Sequence, residues 1–386
     1  MGKDSVVNMF VNREEYLEQL KTLVNIESGS YNAAGINRVA DQLEAWYRDL
    51  GWHIQRHHLD DRTGDLLEIS NRPADHYDVM FVGHMDTVFP DGTVAQRPFS
   101  MDEVNAYGPG VGDMKNGDVA MYQVATHLSP EALKKLNICM AYNPDEEIGS
   151  IYSKEKLDEI GRKSDYVYVM ESASGNGGRH CFARKGMMRY VIRFHGQAAH
   201  AGFMFERENA SAVLEMGHYI VKLMGLASRE EDTTVNVGVA KGGTATNVVA
   251  DSAEIWVEMR FKKESERERL TKEIDQLLNG EPFVPGVRVE VASHTSMTAW
   301  TKTPEALAHI AHMEEIAQKL GLEFEQKDRG GLSDANHLST TGAICSDGMG
   351  PHGALDHSEK EYSIIDTIQP CVQLLCAVLE DLSQSK

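Results

Sequence analysis

The stretch "FVGHMDTVFP", residues 81–90, ends the apolar run Val79–Val82 with a histidine and an aspartate two positions apart. A short, uninterrupted apolar run reads as a strand buried on both faces, as in a parallel sheet. Residues i and i+2 of an extended chain point to the same side, so Asp86 stands beside His84 and can hold its ring. Two arrangements use such a pair: a metal-ligating histidine oriented by a carboxylate behind it, or a core histidine whose polar atoms the acid satisfies. The neighbouring chain has to decide between them.

Outward from this strand, residues 13–25 and 35–50 show helical periodicity, and short β-type runs follow at 53–58, 66–70 and 78–83. A helix at 116–127, a strand at 137–142, a helix at 154–160 and a strand at 166–170 continue the pattern, so the expected fold is α/β, with a mixed sheet between helices. From about residue 180 the texture changes. Strands at 188–194, 234–239, 253–261 and 287–292 enclose helices at 207–226 and 263–279, the β-α-β-β-α-β order of a ferredoxin-like α+β unit. The αβ pattern resumes after Thr303 and ends in an apolar helix at 364–381. The expected organisation is a larger α/β domain over 1–179 and 296–386, interrupted by an inserted lid domain over 180–295.

Fifty-nine acidic and 38 basic residues give a formal charge of −21, and no stripe of Lys and Arg is present, so nucleic acid and anionic membrane are poor partners. No window is apolar enough for a signal peptide or a membrane span, so a cytoplasmic location is expected. Gly2 lacks the hydroxyl residue that N-myristoylation needs four positions on, where Val6 stands. Five cysteines without zinc-type spacing read as reduced, mostly buried thiols.

Four further segments place metal-ligating residue types at strand ends or in adjacent loops: "GPGVGDMKNG" with Asp113, "NPDEEIGS" with Glu146 and Glu147, "YVMES" with Glu171, and "GALDHSEKEYS" with His357. Ligands of open α/β sheets gather at the carboxyl ends of strands, so these loops are expected to converge. Two histidines and three carboxylates, one of them shared, suffice for two zinc-sized ions with positions left open for water. Neighbours on an extended segment face opposite ways, so one glutamate of the 146–147 pair can ligate while the other serves as general base. The glycines of "GPGVGD" lack Rossmann spacing, and neither HExxH nor GxSxG occurs. His53, His57 and His58 read as a polar strand face, and His309 and His312 as a solvent-exposed helix face.

In order and spacing, "GHMDTVFP", "GPGVGDMKNG", "NPDEEIGS", "MES" and "DHSEKEY" resemble the motifs of the dinuclear zinc peptidases that include glutamate carboxypeptidase, succinyl-diaminopimelate desuccinylase, acetylornithine deacetylase and aminoacylase. The resemblance implies two divalent ions per subunit, zinc first and cobalt or manganese as substitutes. One would be held by His84, Asp113 and Glu171, and the other by Asp113, Glu147 and His357, with Asp113 bridging. It further implies Glu146 as general base, Asp86 as the group orienting the histidine, and a cis peptide between Asp113 and Met114. In the lid, "ARKGMMRYVIRFHGQAAHAG" resembles a first strand ending in a histidine, here His200, that reaches the partner's site in a homodimer. Asn247 and Arg260 resemble the pair that grips the substrate carboxylate, and "GGLSDAN", with Gly331, resembles a glycine-rich loop at the same end of the substrate. Ser172 stands where many members have a proline. The implied activity is hydrolysis of a small peptide or N-acyl amino acid next to a free carboxylate, closest to glutamate carboxypeptidase, with deacylase and dipeptidase as alternatives. A non-catalytic metal-binding relative is disfavoured by the presence of Glu146.

Overall fold

Tyr77–His84 forms an eight-residue strand buried along its whole length. It is the centre from which the rest of the sheet is laid out in this computed structural model, which describes residues 9–174 and 179–386. Ile138–Asn143 and Ser164–Val169 flank it in parallel, and Ile344–Ser346 extends the parallel set. Leu66–Ser70 and His53–His57 add antiparallel at the other edge. The result is a six-stranded mixed sheet. Parallel neighbours make the strand readable, because their crossover helices cover both faces and every side chain can be apolar.

The helix Asn116–His127 packs against this strand and is buried on nearly all sides. Its approach depends on two small residues. A Cβ on Gly117 would lie 2.1 Å from the Met170 carbonyl oxygen, and one on Gly83 would lie 2.2 Å from an Asp118 oxygen. The closing helix Ile368–Gln384 covers Asn116–His127 in turn.

Another sheet, of seven short strands, was not anticipated from the sequence. Its members include Asn105–Tyr107, Ser172–Ser174, Gly350–Ala354 and Tyr362–Ile364, pieces of three to five residues that are too short to show a period. The expected exposed histidine face is also corrected. His309 on Pro304–Leu320 is buried, with Nε2 2.9 Å from the Tyr168 hydroxyl, while His312 bonds Asp381. Positions i and i+3 sit close on a helix, but this helix turns only the first of them into the core. Burial pushes the His309 ring down to about 4. Four of the five cysteines are buried, and Cys371 is partly so. Among the described residues no helix is long and apolar enough to cross a membrane.

By its own contacts the chain divides into two units, one made of the residues up to Phe182 with Lys302–Asp328 and Ser333–Lys386, the other of Ala183–Thr301 with Arg329–Leu332. The second is a four-stranded antiparallel sheet, in the order Thr234–Gly242, Ser252–Phe261, Gly186–His195, Arg288–Met297. Period-two alternation sends Tyr190, Ile192, Phe194, Ile255, Val257 and Met259 to one face, against Tyr219 and Leu223 of Ala212–Met224 and Leu270 and Ile274 of Glu264–Asn279. The other face carries cross-strand pairs, Arg189 with Glu258 and Arg193 with Glu254. The first helix begins at Ala212 rather than 207, because Ala210 is still bridged to Gln197 and Ser211 caps Leu214.

Candidate metal centre

Three parallel strands release their chains at the same edge of the six-stranded sheet. Tyr77–His84 delivers His84, Ile138–Asn143 leads to Glu146 and Glu147, and Ser164–Val169 leads to Glu171. Asp113 comes from the turn before Asn116–His127, and His357 from the loop between Gly350–Ala354 and Tyr362–Ile364. These six side chains meet. Asp113 Oδ1 lies 2.9 Å from His84 Nε2, and Asp113 Oδ2 lies 3.0 Å from His357 Nε2. Each oxygen of one carboxylate thus faces a different histidine. His357 Nε2 is also 3.1 Å from Glu147 Oε2, and His84 Nε2 is 3.6 Å from Glu171 Oε1. His84, Glu146 and Glu171 offer ligand atoms within 4.8 Å of one another, as do His84, Asp113 and Glu147.

Each of these groups is held from behind. His84 Nδ1 bonds the Asp86 carbonyl oxygen at 3.0 Å and stands 3.5 Å from the Asp86 carboxylate. That carboxylate does further work, accepting the amides of Glu146 and Glu147 at 3.0 and 3.2 Å and the Ser30 hydroxyl at 2.7 Å. The glutamate pair therefore lies on a single 3-10 turn, Glu146–Ile148, and not on the extended segment expected from the sequence. Two consecutive amides aimed at one carboxylate require a turn. The peptide between Asp113 and Met114 is cis. The loop before it is tied by Glu361, which accepts the amides of Gly112, Asp113 and Gly110 at 2.8, 3.0 and 3.1 Å.

The electrostatics follow from crowding. Burial, reinforced by neighbouring carboxylates, pushes Glu146 and Glu147 above the usual carboxylate range and Glu171 up to about 7. Burial opposes ionisation of Asp113 as well, but hydrogen bonds from His357 and His84 win and hold it low. Hydrogen bonds to Asp113 and Glu147 raise His357 to about 11. The two imidazoles act as the cations of an acid-rich cluster, a place that a divalent ion can take. The donor set fits such an ion, and so does Glu147 Oε1, which is buried with no hydrogen-bond partner among the described residues.

The remaining expected site residues lie in the second unit. The strand Gly186–His195 stops short of His200, which sits beyond it and accepts the Gly202 amide on Nδ1. Gly196 ends the strand; a Cβ there would lie 2.1 Å from the Ala210 carbonyl oxygen. His200 bridges to Val248, and the Asn247 carbonyl accepts the Ala201 amide, so these two site candidates are neighbours. Arg260 bonds Glu258 at 2.9 Å and reaches the Gly330 carbonyl at 3.4 Å, while the Gly331 carbonyl accepts from Arg184. The sequence reading did not assign roles to Ser30, Asp118, Glu361 or Asp334. The last two lie inside segments it quoted, but a single acid among loop residues carries no spacing signal. Asp118 is buried, its carboxylate oxygens have no hydrogen-bond partner among the described residues, and burial pushes it well above the carboxylate range.

Known proteins resemble this chain along most of its length. Residues 80–381 match the model of "Peptidase family M20/M25/M40". The chain is 26% identical to carboxypeptidase G2 of Pseudomonas sp. strain RS-16 over 377 residues, covering 96% of this chain and 90% of the relative. It is 25% identical to a succinyl-diaminopimelate desuccinylase of Thioalkalivibrio sulfidiphilus over 351 residues, covering 85% of this chain and 90% of the relative. In fold it is similar to the crystal structure of aminopeptidase PepT from Bacillus cereus, with a TM-score of 0.79 at 22% identity, covering 97% of this chain and all of that one.

Zinc added to chelator-treated protein is expected to raise its thermal midpoint in a concentration-dependent way, because an ion that binds only the folded chain stabilises it by mass action. At pH 6 the same titration should release protons, since Glu171 and its neighbours hold them in the metal-free cluster. A midpoint indifferent to zinc would remove the cluster as a metal site.

Proposed function

The chain belongs to peptidase family M20/M25/M40, and on that premise we propose that it is a metal-dependent hydrolase of a peptide or N-acyl amide bond next to a free carboxylate, in the manner of a glutamate carboxypeptidase. The observation that carries the reading is Asp113, whose two oxygens face two different histidines with Glu146 and Glu147 close by. His84, Asp113 and Glu171 would hold one divalent ion, and Asp113, Glu147 and His357 a second, zinc being the ion that best suits such nitrogen and carboxylate donors. When bound, these ions supply Lewis acidity, lowering the pKa of water and polarising the scissile carbonyl.

The chain's own part is proton transfer and orientation. Glu146, its pKa raised by burial, takes a proton from the attacking water as the oxygen–carbon bond forms. It returns that proton to the amine nitrogen as the carbon–nitrogen bond breaks, so one group serves as base and then as acid. Asp86 fixes the glutamate through the two amide bonds described above. Asn247, Arg260 and the glycine-rich loop at Gly331 serve the substrate carboxylate, for which a permanently charged planar fork is suited. His200 of the partner subunit would steady the oxyanion in a homodimer. Leu214, Val221 and Met224, exposed on Ala212–Met224 beside the edge strand Thr234–Gly242, support pairing through this unit. Similarity to the desuccinylase favours N-acyl amino acids as a second substrate class. Amine release from dipeptides and from N-acetyl, N-succinyl and pteroyl-type amino acids, with and without chelator, tests both readings.

Glu146→Gln should keep its metal content and fold while losing turnover by about a thousandfold. Glu147→Gln should instead lose metal, and metal loss in the Glu146 variant would refute the assignment. Arg260→Ala is expected to weaken substrates with a free α-carboxylate far more than their amide-blocked counterparts. Equal losses would make Arg260 a structural partner of Glu258 alone. Inactive His200→Ala and Glu146→Gln chains, unfolded and reassembled together, should recover about a quarter of full activity, because half the dimers are mixed and each mixed dimer holds one whole site. If verified mixed dimers stay inactive, His200 does not act across subunits.

A further inference from the structure

Behind the glutamate pair lies a buried polar cluster to which the reaction assigns no role. The strand Ile138–Asn143 ends at Asn143, which stands opposite His84 in the sheet register, and the loop carrying Glu146 and Glu147 runs from there to Ser150. Both ends of this loop converge on one carboxylate. Asp334 accepts Asn143 Nδ2 on Oδ2 at 2.7 Å and the Ser150 hydroxyl on Oδ1 at 2.5 Å. Asn143 Nδ2 also reaches Ser150 Oγ at 2.8 Å, which closes a ring of three side chains. His337 bridges the other side, with Nε2 3.0 Å from Asp334 Oδ1 and Nδ1 2.6 Å from Asp158 Oδ1, whose second oxygen takes Lys154. Asn143, Ser150, Asp334 and His337 are at most 3% exposed.

We propose that Asp334 is a positioning residue that staples the two ends of the Glu146–Glu147 loop, with His337 as its counter-ion. Two features carry this. A carboxylate buried this deeply needs donors and a cation, and here the donors come from the two ends of one short loop. Ser150 has φ 52°, a left-handed conformation that is unfavourable for a non-glycine residue, and its bond to Asp334 is a local interaction that holds it there. Asp86 holds the loop by its middle amides and Asp334 by its ends. Between Asp158 and Asp334 the ring of His337 is pushed up to about 9 despite burial, so it stays charged at neutral pH.

The inference rests on Glu146 as base and Glu147 as ligand, and its test separates the two. Asp334→Asn removes the charge that pairs with His337 and leaves one acceptor oxygen in place of two, so Asn143, Ser150 and His337 can no longer all donate to this side chain. In the metal-free protein, amide hydrogen exchange over residues 143–153 should accelerate about tenfold or more, and zinc affinity measured by chelator competition should fall about 10–100-fold. In the zinc-loaded enzyme kcat should fall about tenfold with KM within about twofold. Ser150→Ala, which leaves the Asp334–His337 pair in place, should move all three readouts the same way by less, and the double variant should be non-additive. If Asp334→Asn does not fold, Ser150→Ala carries the test. A fall in thermal midpoint alone, with local exchange, zinc affinity and kcat unchanged in the folded variants, overturns the proposal. If Glu146→Gln keeps full turnover, the catalytic reading fails instead, while exchange and zinc affinity still decide the staple.

Discussion

Buried negative charge is the constraint on which this molecule is built. Asp113, Glu146, Glu147 and Glu171 converge on His84 and His357 at one edge of a parallel sheet, and carboxylates at that density are stable only with cations among them. Everything near the cluster answers that demand. Glu361 gathers three amides of the Asp113 loop, Asp86 gathers two amides of the Glu146 turn, and Asp334 gathers the ends of that turn. Each of these acids is behind the cluster and takes donors from the backbone or from neutral side chains, Asp334 adding the charged ring of His337. The positive positions inside are left to the histidines and to a metal.

The parallel sheet makes such convergence possible. Three neighbouring strands run the same way, so the residues that follow them emerge at one edge whatever their distance in sequence. Close packing then sets the depth of the site. The helix Asn116–His127 can lie against Tyr77–His84 because Gly83 leaves room, and against Met170 because Gly117 does, and these contacts carry the Asp113 turn to the strand ends. Glycine serves at these two positions through its lack of a side chain, with no demand on its conformational freedom.

Much of this was legible beforehand. The strand of His84, the helix at 116–127, the insertion with its β-α-β-β-α-β order and the five segments around the cluster all followed from period, apolar runs and motif spacing. Those signals arise where a long element buries a face, because burial imposes a period on the sequence. The seven short strands had no such period to show. His309 was misread as exposed for a related reason: one polar residue on a helix face does not reveal that a tyrosine hydroxyl waits for it in the core.

By itself the sequence determined the fold class and which residue types could bind a metal, since both depend on local pattern: alternation, apolar runs, and histidines and acids at the ends of buried strands. Only the tertiary structure decided which hydrogen bonds hold those residues in place. That Glu146 and Glu147 share a 3-10 turn, that Asp86 faces their amides, and that Asp334 and His337 meet Asn143 and Ser150 all join segments far apart in the chain. Hydrogen-bond partners of this kind are fixed by where elements pack, and packing distance leaves no period in a single sequence to be read.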